Sequence, residues 1–179
     1  MNRPGESASV GYGIVSAAAG EDVHALDDEG FDAWLGMWKS QAIVARELER
    51  ALKRVGAPSL ASCEVLSRLA AAPGRRMRIQ ELARRCFVSK SGISQLVTQL
   101  SKSGLVERQG DPGNLRVTYA VLTPEGTETL HNCAPAFLRA VRDHFSRHLD
   151  DADVDHVTRI AGKLITAHNE TVEAPDQPS

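Results

Sequence analysis

Between residues 89 and 126 the chain reads SKSGISQLVTQLSKSGLVERQGDPGNLRVTYAVLTPEG. A helical period comes first, with Ile93, Leu96, Val97 and Leu100 on one side and polar residues on the other. Ser89 stands where an N-cap is wanted, and Ser103-Gly104 closes the segment with a residue that tolerates a left-handed backbone. Two strand-like stretches follow at about 105–109 and 117–122, the second alternating Val117, Tyr119 and Val121 with Thr118 and Ala120. Gly110, Asp111, Pro112, Gly113 and Asn114 between them are turn formers, and Arg116 comes just after the turn. A one-faced helix and a two-stranded ribbon cannot hide their apolar sides alone. The rest of the chain must supply a helical scaffold.

The flanking sequence supplies it. A first helix is expected over about 27–55, with Phe31, Trp34, Trp38, Gln41, Ala45, Leu48, Leu52 and Val55 at alternating three- and four-residue steps, a heptad seam. Acids crowd its start and Lys53-Arg54 its end, as the helix dipole favours, and Gly56 and Pro58 stop it. A second helix over about 60–72 carries Leu60, Val65, Leu66 and Leu69; a third over about 79–86 carries Leu82, Ala83 and Cys86. The third and fourth helices, separated by a short break at Phe87-Val88, make a helix-turn-helix. After the ribbon, Thr123 and Pro124 open a helix bearing Leu130, Ala134, Phe137, Val141 and Phe145, with a kink expected at Pro135. A last helix starts among Asp150, Asp151, Asp153 and Asp155 and carries Val154, Val157, Ile160, Ala161, Leu164 and Ile165. The fold class is therefore mainly α, a winged helix-turn-helix head with a two-stranded wing.

The whole-chain charge of −2 hides an uneven distribution. Residues 75–116 hold nine basic and three acidic side chains, a block of +6 that leaves −8 for the remainder. A basic block within an acidic chain is a footprint for a polyanion. The three cysteines, Cys63, Cys86 and Cys133, are widely spaced and show no zinc-finger pattern, so no disulfide scaffold, structural metal or cofactor is expected. No apolar run has the length of a membrane span, and Val10–Ala19 is too interrupted by glycine and serine to make a good leader, so a cytoplasmic location is expected. No nucleophile elbow, phosphate loop or paired catalytic carboxylates occur, and no enzyme activity is expected.

The polar side of the fourth helix carries Lys90, Ser91, Ser94, Gln95, Thr98, Gln99 and Lys102. Only two of these are charged. Amides and hydroxyls suit base edges in a major groove, so Ser91, Ser94 and Gln95 are the candidates for reading bases. Lys90, Thr98 and Lys102 are candidates for phosphate contacts, which position a protein on the duplex without specifying sequence. Arg116, close to the hairpin tip, suits a narrow, electronegative minor groove. The expected partner is double-stranded DNA.

With these residues in view, the chain resembles the MarR family of bacterial transcription regulators. The resemblance rests on the helix-turn-helix ELARRCFVSKSGISQLVTQLSKSGLVER and the wing DPGNLRVTYAVLTPEG, in which Asp111, Pro112, Arg116, Leu122, Thr123 and Gly126 match the family's wing pattern, and the helix order fits over about 27–170. Two departures stand out. Asn114 replaces the family's second wing aspartate, removing a charge pair for Arg116, and Gln95 stands where relatives often carry arginine. The resemblance implies a homodimer whose first and last two helices form the dimerisation region and whose two heads bind a roughly palindromic operator. It also implies release from DNA by a small, commonly aromatic molecule.

The domain plan that results is a mobile N-terminal arm over 1–25, a first dimerisation helix over 26–56, a DNA-binding head over 57–126, C-terminal dimerisation helices over 127–170 and a mobile tail over 171–179. Phe31, Trp34 and Trp38 are three of eight aromatics in the chain, all on one helix face; they serve as dimer core or, with Gln41, as the wall of an effector pocket. Gln41 either sets dimer register or hydrogen-bonds the effector. The alternatives to ligand release are a cysteine redox response and a winged helix that binds protein. Cys86 and Cys133 lie on apolar stripes, where thiols are usually inert. His144 and His148, four apart, would need a third ligand from elsewhere to hold a metal.

Overall fold

The computed structural model describes residues 29–86, 90–111 and 113–173. The expected N-terminal arm, the break at Phe87-Val88, the N-cap Ser89 and Pro112 lie outside the described residues, as does the chain beyond 173. The described elements are α1 (Glu29–Arg54), α2 (Leu60–Ala71), a 3-10 turn (Pro73–Arg75), β1 (Arg76–Arg78), α3 (Ile79–Arg85), α4 (Lys90–Lys102), β2 (Val106–Asp111), β3 (Asn114–Leu122), α5 (Pro124–His144), a second 3-10 turn (Ser146–His148) and α6 (Asp151–Glu173). The chain divides into two compact units, residues 1–46 and 47–179, with the division inside α1.

In the first unit, the aromatic positions of the expected seam stack along α1. The Phe31 and Trp34 rings lie 5.6 Å apart, and Trp34 and Trp38 are nearly parallel at 5.8 Å. Trp34 and Trp38 are about half exposed, and Gln41 is exposed too; among the described residues of this unit Leu35, outside the seam, is the buried one.

The second unit is built around the head. Val65, Leu66, Leu69, Leu82, Ile93, Val97, Leu100, Val106, Ala120 and Leu122 are all buried in one core, which joins α2, α3, α4 and the sheet. Burying such side chains contributes about 1.5–3 kcal/mol each before conformational entropy is set against it. Ser59 caps α2, its hydroxyl accepting from Ser62 N at 3.2 Å. At the end of α4, Leu105 N donates to Leu100 O and Gly104 N to Ser101 O, closing the carbonyls of the last turn. Gly104 has φ +74°, which an L side chain would strain. Thr123 caps α5 as expected, accepting from Gly126 N at 3.0 Å, and its own hydroxyl donates to Gly104 O at 2.7 Å. One threonine thus joins the exit of α4 to the start of α5.

The sheet has three antiparallel strands in the order β1-β3-β2, one more than the sequence suggested. β1 is three residues long, too short to show a period, and it forms because Met77 drops into the core opposite Ala120. The wing strands are also longer than expected, β2 running to Asp111 and β3 starting at Asn114, with an irregularity in register between Gly110 and Asp111. Gly110 and Asn114 therefore belong to strands, and Arg116, just after the turn, lies within β3.

Three further expectations are corrected along the C-terminal helices. α5 carries Pro135 in its interior, and its buried residues are Gly126, Cys133, Ala136 and Ala140, offset from the larger residues of the expected stripe. Small side chains occupy the tightest line, and Leu130, Phe137 and Val141 pack beside it, half-buried. His144 ends α5 while His148 sits in the following 3-10 turn, with Nε2 at 3.2 Å from Asp143 O, so the two imidazoles do not share a helix face. α6 opens with a reciprocal cap, Asp153 N to Asp150 Oδ1 at 2.8 Å and Asp150 N to Asp153 Oδ2 at 3.2 Å, and continues to Glu173, past the expected start of the tail. Among the described residues no helix is long and apolar enough to cross a membrane.

Candidate nucleic-acid interface

The faces of α4 divide as its period requires. Ile93, Val97 and Leu100 are buried and Leu96 is half-buried, whereas Ser91, Ser94, Gln95, Gln99 and Lys102 are exposed. The three candidate base-reading residues thus lie together on one open face of a helix anchored by its opposite side. The side chains of Lys90 and Arg116 are outside the described residues; their backbones place them at the start of α4 and in β3.

Thr98 has a different position from the one its residue type suggested. It is half-buried, its hydroxyl donates to Ser94 O at 2.8 Å, and it accepts from Arg108 Nη1 at 3.0 Å. The hydroxyl is committed inside the head. Its effect is to fix the guanidinium of Arg108, a β2 residue, against α4. Sequence reasoning counted Arg108 within the basic block but gave it no place, because nothing local links residues ten apart on a helix and a strand.

Arg108 and Arg78 line a cleft of about 210 Å³ together with Ile79, Gln80, Ser94, Val117 and Thr118. It opens between the start of α3, the exposed face of α4 and the wing. Two guanidinium groups and a serine hydroxyl around such a space suit a phosphate oxygen.

The solvent side of the sheet explains how the wing is held. Arg78 and Tyr119 are partners across β1 and β3, so their side chains share a face, with Arg76 two residues away on the same face. Arg78 Nε donates to Tyr119 Oη at 3.3 Å, and Tyr119 Oη donates to Asp111 Oδ2 at 3.3 Å. Asp111 Oδ1 accepts from Gly113 N at 2.8 Å, fixing the turn itself. Arg76 Cζ lies 4.0 Å from the centre of the Tyr119 ring, a cation–π contact. The Tyr119 hydroxyl, first, and then the nearby acids raise the pKa of the Arg78 guanidinium, which keeps its charge firmly in place. This relay was not legible in the sequence. It depends on the register of a strand too short to predict.

Other cations near the head are partly offset. Arg85 pairs with Glu81 at 2.8 Å and Arg68 with Glu64 at 3.0 Å. Surface pairs of this kind, the first exposed and the second partly buried, contribute little to stability, but they lower the positive potential locally.

Comparison with known proteins places the fold. A model of the MarR family matches residues 59–116. AbsC, a MarR family transcriptional regulator from Streptomyces coelicolor, is 30% identical with a TM-score of 0.71, over 80% of this chain and 97% of that one. Sco3205, a MarR family transcriptional regulator from the same organism solved in complex with DNA, is 28% identical with a TM-score of 0.68, over 79% of this chain and 86% of that one. BpsR from Bordetella bronchiseptica, whose DNA binding is regulated by 6-hydroxynicotinic acid, shares the fold at 14% identity and a TM-score of 0.66, over 78% of this chain and 94% of that one. No curated protein matches the chain. With a family model on the head and a 30% identical relative spanned almost end to end, the chain belongs to the MarR family of transcriptional regulators.

Proposed function

We propose that this chain is a homodimeric repressor that reads a roughly palindromic DNA operator through α4 and the wing and leaves it when a small ligand binds. The observation that carries the reading is the exposed, weakly charged face of α4, with Ser91, Ser94 and Gln95 side by side above a rigid core. In the reading proposed here these three residues meet base edges in the major groove. Lys90, Lys102, Arg108 and Arg78 contact phosphates on either side, and Thr98 acts through Arg108. Arg116 enters the adjoining minor groove. The DNA-bound relative Sco3205 supports the placement of a head of this kind on a duplex.

Dimerisation is supported by apolar surface that each unit leaves open. On α6, Val154, Val157, Ile160, Leu164 and Ile165 are all between 42% and 55% exposed, at steps that place them on one side of the helix. On α1, Trp34, Met37, Trp38 and Ile43 are similarly exposed. Contiguous apolar helix faces of this size are usually covered, and the dimerisation helices over 26–56 and 127–170 would cover one another across a two-fold axis. A dimer then presents two copies of α4 to two half-sites about one helical turn of DNA apart.

Release follows from linkage. A ligand that binds better to the arrangement of heads that misfits the operator shifts the dimer toward that arrangement. The Phe31, Trp34 and Trp38 stack, with Gln41 one turn further on, offers aromatic faces and an amide for a planar effector. BpsR is a precedent for effector control within this fold, and at 14% identity for the fold alone. A DNA-bound role places the protein in the cytoplasm.

Selection of bound duplexes from a random pool tests the proposal. It predicts enrichment of an inverted repeat. Recovery of no sequence motif, with the protein captured instead by another protein, would favour a winged helix serving as a protein-binding module.

A further inference from the structure

Two of the three cysteines meet. Cys63 Sγ and Cys133 Sγ are 4.0 Å apart, although the residues are 70 positions apart in sequence. Both are buried, at 7% and 4% exposure. They sit outside the main core of the head, in a separate cluster with Leu52, Ala57, Leu60 and Phe137, where the end of α1, the start of α2 and the middle of α5 come together. Each sulfur also approaches a carbonyl oxygen, Pro58 O at 3.6 Å from Cys63 and Leu130 O at 3.4 Å from Cys133. Cys86 lies in the other cluster, so the same chain carries a built-in control thiol.

We propose that Cys63 and Cys133 are a dithiol–disulfide modification site that, once oxidised, clamps the first helix of the winged head to the helix that follows the wing. A disulfide bond is about 2.0 Å long, so the sulfurs must close roughly 2 Å, a movement that rotation about the two Cα–Cβ bonds and a small slide of α2 on α5 can share. The oxidant is a peroxide, small enough for the narrow access that the burial allows. One sulfur attacks the peroxide O–O bond and becomes a sulfenic acid as water leaves. The second sulfur then displaces the hydroxyl, forming the S–S bond and releasing a second water. Two thiols and one hydrogen peroxide give one disulfide and two waters.

Burial, then the neighbouring Cys133 and Glu49, push the Cys63 thiol up to about 12. Cys63 therefore rests as a thiol at neutral pH and reacts slowly with dilute peroxide, faster as pH rises. The ring that oxidation closes contains β1, α3, α4, β2 and β3, the entire reading head. Its two ends are fastened at the junction through which the head would turn. This regulatory consequence rests on the DNA-binding reading proposed above: a head clamped at that junction loses the adjustment that fits it to a half-site.

The test is peroxide treatment of the full-length protein, alkylation of the remaining thiols and peptide mass spectrometry without reduction. The expected product has lost two hydrogens, contains a Cys63–Cys133 linked peptide, keeps Cys86 alkylated and reverts with dithiothreitol. Cys63→Ala and Cys133→Ala each abolish that peptide. Cross-links through Cys86 or between chains in place of it would overturn the site. In a second arm, the oxidised protein binds a selected duplex at least about fivefold more weakly than the reduced protein, the usual floor for allosteric coupling. Equal affinity with the linked peptide present would overturn the clamp. Failure of the reduced protein to bind any duplex would overturn the DNA reading and the clamp with it, and the linked peptide would still be scored by mass.

Discussion

Tyr119 holds Asp111 near the tip of the wing, Oη to Oδ2 at 3.3 Å, while Asp111 uses its other oxygen to pin the turn through Gly113 N. The phenol is itself held by Arg78 from the neighbouring strand. The wing is thus tied to the start of α3 by side chains of three strands. Tyr119→Phe removes the relay and keeps the ring under Arg76. Fluorescence anisotropy on a selected duplex is expected to show roughly three- to tenfold weaker binding, the equivalent of about one hydrogen bond, with an unchanged thermal melt. A melt lowered by many degrees would mean that the residue serves the fold instead.

Gly126 is a second place where one atom matters. A Cβ there would collide with the Leu105 carbonyl oxygen and come within 2.7 Å of Leu122 Cδ1. The carbonyl belongs to backbone that also accepts from Thr123 N, so it has little room to move. Gly126→Ala is expected to cost roughly 1–3 kcal/mol in urea denaturation, the range for overpacking a filled core. Loss below about 0.5 kcal/mol would show that this junction relaxes freely.

The raised pKa of Cys63 makes a statement about stability. Its thiol ionises at 9.0 in the unfolded chain and at about 12 in the fold. Below pH 9 both states keep the proton and the group adds no pH dependence. Between those values the unfolded state releases a proton that the folded state keeps, so stability falls as pH rises, by at most about 1.4 kcal/mol per unit. Cys63→Ala should flatten the decline measured by thermal melts between pH 9 and 11. A parallel decline in both proteins would contradict the shift.

How much of this was legible in the sequence differs by residue. α4 could be read because its buried positions follow the helical period without interruption, and the Thr123 cap because threonine before proline has one obvious use. The order of helices followed from similar local signals. β1 was missed because three residues carry no period. The buried line of α5 was misplaced because alanine and cysteine look neutral in a pattern search and yet fill the closest approach. Arg108 and Tyr119 could not be placed, since their partners are set by strand register and by the packing of helix on strand. The neighbourhood of Cys63 and Cys133 was invisible for the same reason.

The division of labour on the head separates two classes of substitution. Arg108→Ala should weaken binding to selected and random duplexes alike and lower the slope of log affinity against log salt by about one. Gln95→Ala should instead narrow the ratio between selected and random duplexes, by roughly five- to 150-fold for a contact worth about 1–3 kcal/mol. An unchanged ratio for Gln95→Ala would move the base-reading face away from this residue.

The most direct measurement is the affinity of the wild-type protein for a selected duplex and for a scrambled one of equal length, across a range of salt concentrations. The account predicts tight, sequence-selective binding that weakens steeply and log-linearly as salt rises. A flat response with no preference between the two duplexes would contradict it.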